Sequence, residues 1–526
     1  MGEINRPARL LDPLRASRSF RLLFFGQLST QTAIWILTVT AQVTLVAQGE
    51  STLMVALVQS AVTMPFLIVA IPSGVIADLM PRKFLLAAAN AAAAIIGLIL
   101  TVASATDQLS PGLLLALTLL IGLTWALSAP INAASVPDVV DRAHIPMTSM
   151  LASINLNTAR VIGPAIGGIV ISTLGLTMAF ALSTFGYALF AVLIPMIDVP
   201  STPVGSRRFI SGLRTGFHHT ANAATFRRLV ALTAAWSVAG SVLWALLPIV
   251  ALREFGLGPG GYGWVLALVG GGAVVGSVLL APVRSRIHPT RYVLLLIPIY
   301  ALTLMGVAWA DEPVYLLVLL PVSGAAWTAV GAVLLASAQQ LLPGWVRARG
   351  ISYYMFASQG GMAVGSLLWG IVGDLLGVSW AFSLAAMGLV LAFVVAARSH
   401  LPTVEVTSEA TAAWPSADLD IPEDQLDRRA HVTISWCVPA GRELEFLNAI
   451  VEVRRSRKRT GARQWFIATD VADPSLYVES FVVDSWHDHL EQHKFRQSPE
   501  DIAASAVARS IAGNPVEIRH FVEVVD

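Results

Sequence analysis

Cysteine is almost missing from this chain of 526 residues: Cys437 stands alone, so no disulfide can form within it. Lysine is nearly as scarce, with Lys83, Lys458 and Lys494 set against many arginines. Charged residues make up 13% of the whole, about half the share in a soluble domain, which is roughly 25%. The net charge is only +1, which leaves no electrostatic footprint for a nucleic-acid partner. The basic opening from Met1 to Arg21 lacks an apolar core and a small-residue cleavage site, so no cleavable leader is expected. Carboxylates are absent from the middle of the apolar runs. The nearest ones, Glu50, Asp78 and Asp374, sit at run ends.

Apolar sequence is what the chain has in abundance: 55% of residues are hydrophobic and the mean hydropathy is +0.69. Through the first four hundred residues, runs of about twenty recur, each long enough to cross roughly 30 Å of hydrocarbon as a helix. Twelve such spans are expected, the first at 22–48 and the last at 378–397. An even count puts both termini on one side. Arg15, Arg18, Arg21, Arg82, Lys83, Arg142, Arg207, Arg208, Arg284, Arg286, Arg347 and Arg349 share that side, while Glu50, Asp107, Glu254, Asp311, Glu312 and Asp374 lie opposite, with Arg253 the one exception. Basic loops stay in the cytoplasm, so a multi-pass protein of the cytoplasmic membrane with both termini inside is expected.

The apolar part repeats itself. Gly122 and Trp125 recur as Gly324 and Trp327; Gly163, Gly168 and Gly175 recur as Gly365, Gly370 and Gly377; Ala179 and Phe180 recur as Ala381 and Phe382. The offset is 202 residues in every pair. A parallel duplication of a six-span unit is a build plan of secondary transporters. The expected domains are an N-terminal six-helix bundle at 1–200, a linker at 201–227, a second bundle at 228–400, a tether at 401–430 and a small domain at 431–526. Within the linker, Arg207 to His219 reads either as a short surface helix facing headgroups or as a solvated basic stretch. The last segment alternates and repeats as β-α-β-β-α-β, a ferredoxin-like α+β arrangement. Its strands are expected at 431–438, 464–469, 477–483 and 516–525, and its helices at 441–459, 486–496 and 500–511.

Gly74, Asp78, Arg82 and Lys83 follow the second span with the spacing of a signature that the major facilitator superfamily carries between its second and third helices, Pro81 standing where a glycine is usual. The resemblance implies that Gly74 lets helices pack closely and that Asp78 caps the positive N-terminal end of the eleventh helix near Gly350 to Ser352. It further implies that Arg82 pairs with Asp138 or Asp141. The plainer alternative makes Asp78 and Arg82 markers of the membrane–water boundary. In the fifth span, Arg160, Gly163, Pro164, Gly167 and Gly168 resemble the helix-five motif of drug–proton antiporters in that superfamily. This implies tight contact with the eighth span (Gly270, Gly271, Gly272, Gly276), a kink at Pro164 and export rather than import.

Arg160 falls near mid-bilayer, where an unpaired charge is costly, and Met362 replaces it in the second copy. One reading has it contact an acidic or phenolate-bearing cargo or a proton-coupling group; the other pairs it structurally with a loop carboxylate. Gln31, Gln42, Asn157 and Gln359 are candidate hydrogen-bonding groups for cargo in an apolar cavity. Trp35, Trp125, Trp236, Trp244, Trp327 and Phe356 offer either stacking surfaces or packing.

Residues 431–526, with Arg457, Arg459, Gly461, Trp465, Trp486, His487, His489 and His493, resemble the antibiotic-biosynthesis-monooxygenase-like domain joined to transmembrane secretion effectors, a facilitator branch that includes enterobactin exporters. Relatives of that fold leave an enzyme reading open, with Trp465, Trp486 and His487 lining a pocket. His489 and His493, at i and i+4, have metal-holding spacing, with His431 and His520 as further ligands; the plainer reading makes them solvated surface residues. No metal and no cofactor are expected, and pairing of two chains through this domain is. The whole reads as an exporter of a small amphipathic metabolite or drug, siderophore-like or antibiotic-like, working by alternating access with proton antiport. A membrane-anchored oxidoreductase and a sensor whose tail reports cargo occupancy remain the alternatives.

Overall fold

A computed structural model describes residues 10–69, 81–141, 144–198, 223–342, 347–399, 401, 421–422, 425–494 and 499–524. The chain divides into two compact units, one of Met1–Ser206, Val230–Ala336 and Ser352–Leu401, the other of Arg207–Leu229, Ser337–Ile351 and Pro402–Asp526.

Twelve helices among the described residues are long and apolar enough to cross a membrane: α1 (Arg18–Ala47), α2 (Thr52–Val69), α3 (Arg82–Ala105), α4 (Pro111–Ala133), α5 (Met150–Leu174), α6 (Leu176–Met196), α7 (Ala224–Glu254), α8 (Gly258–Leu279), α9 (Pro289–Ala308), α10 (Pro313–Leu341), α11 (Gly350–Leu376) and α12 (Val378–Ala397). Helix α4 continues to Val139, and the helix containing α5 begins at Ile145. Hydroxyl side chains start several of them. Ser17, Ser51 and Ser110 accept from the amides of Phe20, Met54 and Leu113 at 3.1, 3.3 and 3.3 Å, filling donors that a helix start leaves unpaired. The helices turn apolar side chains such as Ile68, Leu302 and Leu375 outward, while Thr40, Gln42, Ser60, Asn90, Ser183 and Ser241 are buried within. That inversion suits a lipid surround, which offers polar groups no partner.

The duplication is visible in the backbone. Gly175, between α5 and α6, has φ 87°, and Gly377, between α11 and α12, has φ 91°. Both turns need the left-handed region that glycine alone enters freely, so the repeated glycines mark one turn made twice. Packing repeats as well, with α3 against α6 in the first copy and α9 against α12 in the second. Across the copies, α5 packs on α8 and α2 on α7.

The second unit contains the expected α+β domain, with β1 (Ala430–Cys437), α13 (Glu443–Thr460), β2 (Ala462–Thr469), β3 (Leu476–Val483), α14 (Trp486–Lys494), α15 (Pro499–Ala512) and β4 (Glu517–Val522). Its sheet runs β2-β3-β1-β4, all neighbours antiparallel. Val432, Ile434 and Trp436 alternate along β1 into a core with Phe446, Ile450 and Val453 of α13 and Ala508 and Ile511 of α15, as a strand period of two and one helix face require. Inside that core, Arg457 Nε meets Glu479 Oε1 at 3.1 Å, and Trp465 Nε1 donates to the same oxygen at 2.9 Å. Removing either partner of such a buried pair strands a charge, at a cost of about 3–5 kcal/mol.

Candidate cargo site between the helical halves

The helix containing α5 carries Arg160 halfway along its length. Gly163, Gly167 and Gly168 follow at i+3, i+7 and i+8, so this stretch can press against two neighbours. A Cβ on Gly163 would lie 2.6 Å from Trp35 Cβ and 3.1 Å from Thr32 O, and one on Gly167 3.5 Å from Ile36 Cα, all on α1. Gly168 faces α8, where a Cβ would lie 2.8 Å from Pro259 O and 2.9 Å from Gly263 Cα. Reciprocally, a Cβ on Gly263 would meet Pro164 O at 2.8 Å. The expected contact of α5 with α8 is therefore made, in part by a glycine not read from sequence, Gly263. Of the four read from sequence, Gly270 faces Val161 and Arg160 O on α5, Gly272 and Gly276 lie against Pro321 and Ala325 of α10, and nothing lies within 4 Å of a Cβ on Gly271.

The guanidinium of Arg160 leaves α5 toward the second copy. Its Nη1 donates to Thr328 Oγ1 of α10 at 3.2 Å. Its central carbon lies 5.9 Å from the ring centre of Trp35 on α1 and 5.6 Å from that of Trp244 on α7, distances at which a cation is held by ring faces. Among the described residues no carboxylate pairs with it, so the loop-carboxylate alternative has no partner here. The rings continue as a ladder: Trp35 to Trp244 at 5.5 Å, Trp244 to Trp327 at 6.3 Å, Trp327 stacked on Trp236 at 5.2 Å, and Trp236 beside Tyr300 at 5.0 Å. Trp125 belongs elsewhere, 5.0 Å from Phe66.

The candidate amides divide. Gln42 is buried, its Nε2 donating to Trp244 O at 3.3 Å and its Oε1 accepting from Tyr262 OH at 2.7 Å. It ties α1 to α7 and α8. Asn157 is half-buried and gives its Nδ2 to Ser153 O, 2.9 Å away in its own helix. Gln31 and Gln359 are half-buried. Gln42 and Trp244 are 202 residues apart, the repeat offset, so two equivalent positions touch each other. Equivalent points can meet only beside a twofold axis, which places this pair at the centre of the seam.

Further ties join the copies at the end bearing the acidic loops. Asp374 Oδ1 and Oδ2, near the end of α11, accept from Thr52 N at 2.7 Å and Leu53 N at 3.2 Å, the first amides of α2. A carboxylate there meets the positive end of the helix dipole. Arg253 donates to Glu50 O at the same end, and midway along α2 and α11 Ser60 Oγ donates to Ala363 O at 2.9 Å. Gly74 and Asp78 lie outside the described residues. Of the same motif, Arg82 pairs with Asp138 at 2.6 Å and Lys83 Nζ donates to Pro195 O at 2.7 Å, fastening the start of α3 to α4 and α6.

In the α+β domain the pocket residues are not brought together. Trp486 is buried, while His487 faces outward beside Glu491 at 3.4 Å. His489 is not a surface residue: it is 1% exposed, with its ring 5.4 Å from Trp486 and 5.0 Å from His520. Burial holds the His520 imidazole below its ordinary pKa. Among the described residues no cluster of three or more metal-ligating side chains occurs.

A family model described as transmembrane secretion effector matches residues 8–526. The chain belongs to the transmembrane secretion effector family. Among curated relatives, the multidrug efflux pump Tap of Mycobacterium tuberculosis is 27% identical over 280 residues, 51% of this chain, and Tap of Mycobacterium bovis matches equally. The match spans 63% of the length of Tap. Of solved structures, an auto-inhibited POT family peptide transporter aligns at a TM-score of 0.60 with 11% identity, over 75% of this secretion effector and 99% of that chain. The nucleoside transporter NupG gives 0.55 at 15%, over 72% and 98%. A bacterial homologue of the human lysosomal transporter Spinster, inward-facing and unoccupied, gives 0.55 at 15%, over 73% and 95%. At such identities the likeness concerns the fold, twelve helices in the facilitator arrangement. Nothing in these relatives supports pairing of two chains through the α+β domain.

Proposed function

We propose that this secretion effector exports a small amphipathic molecule across the cytoplasmic membrane, its two six-helix halves rocking about the seam that holds Arg160. The observation that carries this reading is the position of Arg160: a half-buried cation, midway along a membrane helix, flanked by Trp35 of one copy and Trp244 and Thr328 of the other. A residue that touches both halves at mid-membrane is where alternating access exposes a cargo first to one side, then to the other. Its companions are aromatic, which suits a partly apolar cargo. The likeness to the efflux pump Tap supports outward movement. The asymmetry of loop charge supports cytoplasmic termini and a cytoplasmic 431–526 domain.

Proton antiport is the proposed driver. In cells lacking the gene, an amphipathic dye accumulates; the full-length chain lowers the accumulation about tenfold, and an uncoupler abolishes the difference. Equal accumulation with and without the chain, over a panel of dyes and antibiotics, refutes export. Efflux that survives the uncoupler refutes proton coupling alone.

A further inference from the structure

Two buried donors stand in the seam cluster with no acceptor. Nε of Arg160 and Nε1 of Trp244 are removed from solvent, and neither has a hydrogen-bond partner among the described residues. They belong to one cluster, since the guanidinium carbon is 5.6 Å from the Trp244 ring centre. The surrounding acceptors are engaged. Gln42 Oε1 takes the Tyr262 hydroxyl, Trp244 O takes the Gln42 amide, and Thr328 Oγ1 takes Arg160 Nη1. A guanidinium carries five donors and an indole one, and neither side chain accepts. The cluster is thus rich in donors and positive, the complement of an oxyanion and a poor place for an ammonium. On α10, one turn beyond Thr328, nothing lies within 4 Å of a Cβ on Gly331.

We propose that the cargo is an aromatic anion, a carboxylate or phenolate borne on a planar ring, whose oxygens take the free donors of Arg160 and Trp244 while its ring lies along the Trp35–Trp244–Trp327 ladder. This rests on the exporter reading and narrows its substrate class. Burying the anion against Arg160 satisfies both donors at once and neutralises the one charge at mid-helix of α5. A neutral ring gains the stacking without the charge; a cationic ring meets repulsion.

The test is calorimetric titration of the purified full-length chain in detergent with three ring-matched probes: naphthoate, naphthamide and naphthylmethylammonium. Naphthoate is expected to bind at least about tenfold more tightly than naphthamide, with the ammonium weakest. Arg160→Gln removes the naphthoate advantage, and a size-exclusion profile and helical circular dichroism matching those of the unaltered chain show the variant folded. Trp244→Phe, which keeps a ring but loses the donor, weakens naphthoate about threefold. If Arg160→Gln does not fold, the ranking of the probes on the unaltered chain decides. The proposal is overturned by equal or tighter binding of naphthamide or the ammonium, by no binding of any probe at millimolar concentration, or by a naphthoate preference that survives Arg160→Gln. Chloride that competes with naphthoate and binds alone with the same Arg160 dependence makes this an inorganic-anion site and also overturns it. A chain that lowers dye accumulation in cells yet lacks charge preference refutes the anion assignment alone. A chain that prefers naphthoate yet changes the accumulation of no compound refutes the exporter reading alone.

Discussion

The α5–α8 seam and the α2–α11 seam hold equivalent places in the two copies and are both packed through glycine, yet only the second adds a charged cap. At the first, backbone meets backbone: Gly168 and Gly263 leave no room for a Cβ on either side. At the second, a Cβ on Gly370, the equivalent of Gly168, would lie 2.8 Å from Ala56 Cβ and 3.1 Å from Leu53 Cα, and a charged side chain also reaches across, Asp374 accepting from Thr52 N and Leu53 N. Ser172 is the equivalent of Asp374 at the repeat offset. Its hydroxyl turns back to Ile169 O at 2.9 Å, and it lies 3.5 Å from where a Cβ on Gly260 would be. Duplication kept the helices in register while the fastenings diverged. Close-packed backbone holds through many small dispersion contacts, whereas a charged cap is one strong contact made or unmade as a unit. We therefore expect the α2–α11 seam to open first and the α5–α8 seam to act as the pivot.

The largest effect is expected from Gly168→Leu, which drives a side chain into Pro259 O and Gly263. Overpacking of this kind costs about 1–3 kcal/mol or more; it should lower the thermal midpoint in detergent by several degrees and abolish efflux. Unchanged stability would mean the pivot is not close-packed. Next comes Asp374→Ala. Hydrogen bonds to a charged group are worth about 1.5–3 kcal/mol, so the seam should open about tenfold more often. A Gln59→Cys reporter on α2, in a Cys437→Ser background, would then react with an external maleimide about ten times faster. No change would remove the distinction between the seams. Tyr262→Phe strips the buried Gln42 carbonyl of its donor and should cost about 1 kcal/mol, read by thermal unfolding, without altering reporter labelling. Ser60→Ala loses one neutral hydrogen bond to Ala363 O and should cost about 0.5 kcal/mol, with at most a slight rise in labelling.

Much of the architecture was legible because membrane helices and their turns leave strong local marks. The last span was expected at 378–397 and is Val378–Ala397; the first was expected at 22–48 and is Arg18–Ala47. The third strand of the tail domain was expected at 477–483 and runs Leu476–Val483. The relation of one helix to another was harder to read. A helix apolar on every side gives its period but not its rotational setting, so nothing in sequence said that Gln42 turns toward Tyr262, or that Gly263 rather than Gly271 meets α5. Asp374 was noted only as an acid at a span end; its task depends on where α2 begins in space. Arg160 was legible as a costly charge, but its companion Thr328 is one hydroxyl among many. His489 misled for a related reason: its spacing to His493 fitted a solvated face, and only packing on Phe481 and Trp486 shows it turned inward.

The contact between Gln42 and Trp244 has a consequence for how this protein could have arisen. Two separate identical halves meeting on that axis would have carried one residue facing itself, and any mutation would have struck both partners together. Joining the halves in one gene freed each to change alone. Gln42 now grips the main chain of its counterpart, and the Trp244 side chain has turned to Arg160. Two N-terminal halves brought together would keep Trp35 beside the arginine but set a glutamine where Trp244 stands, and two C-terminal halves would have no arginine for the indole. Each half has become a fit companion only for the other.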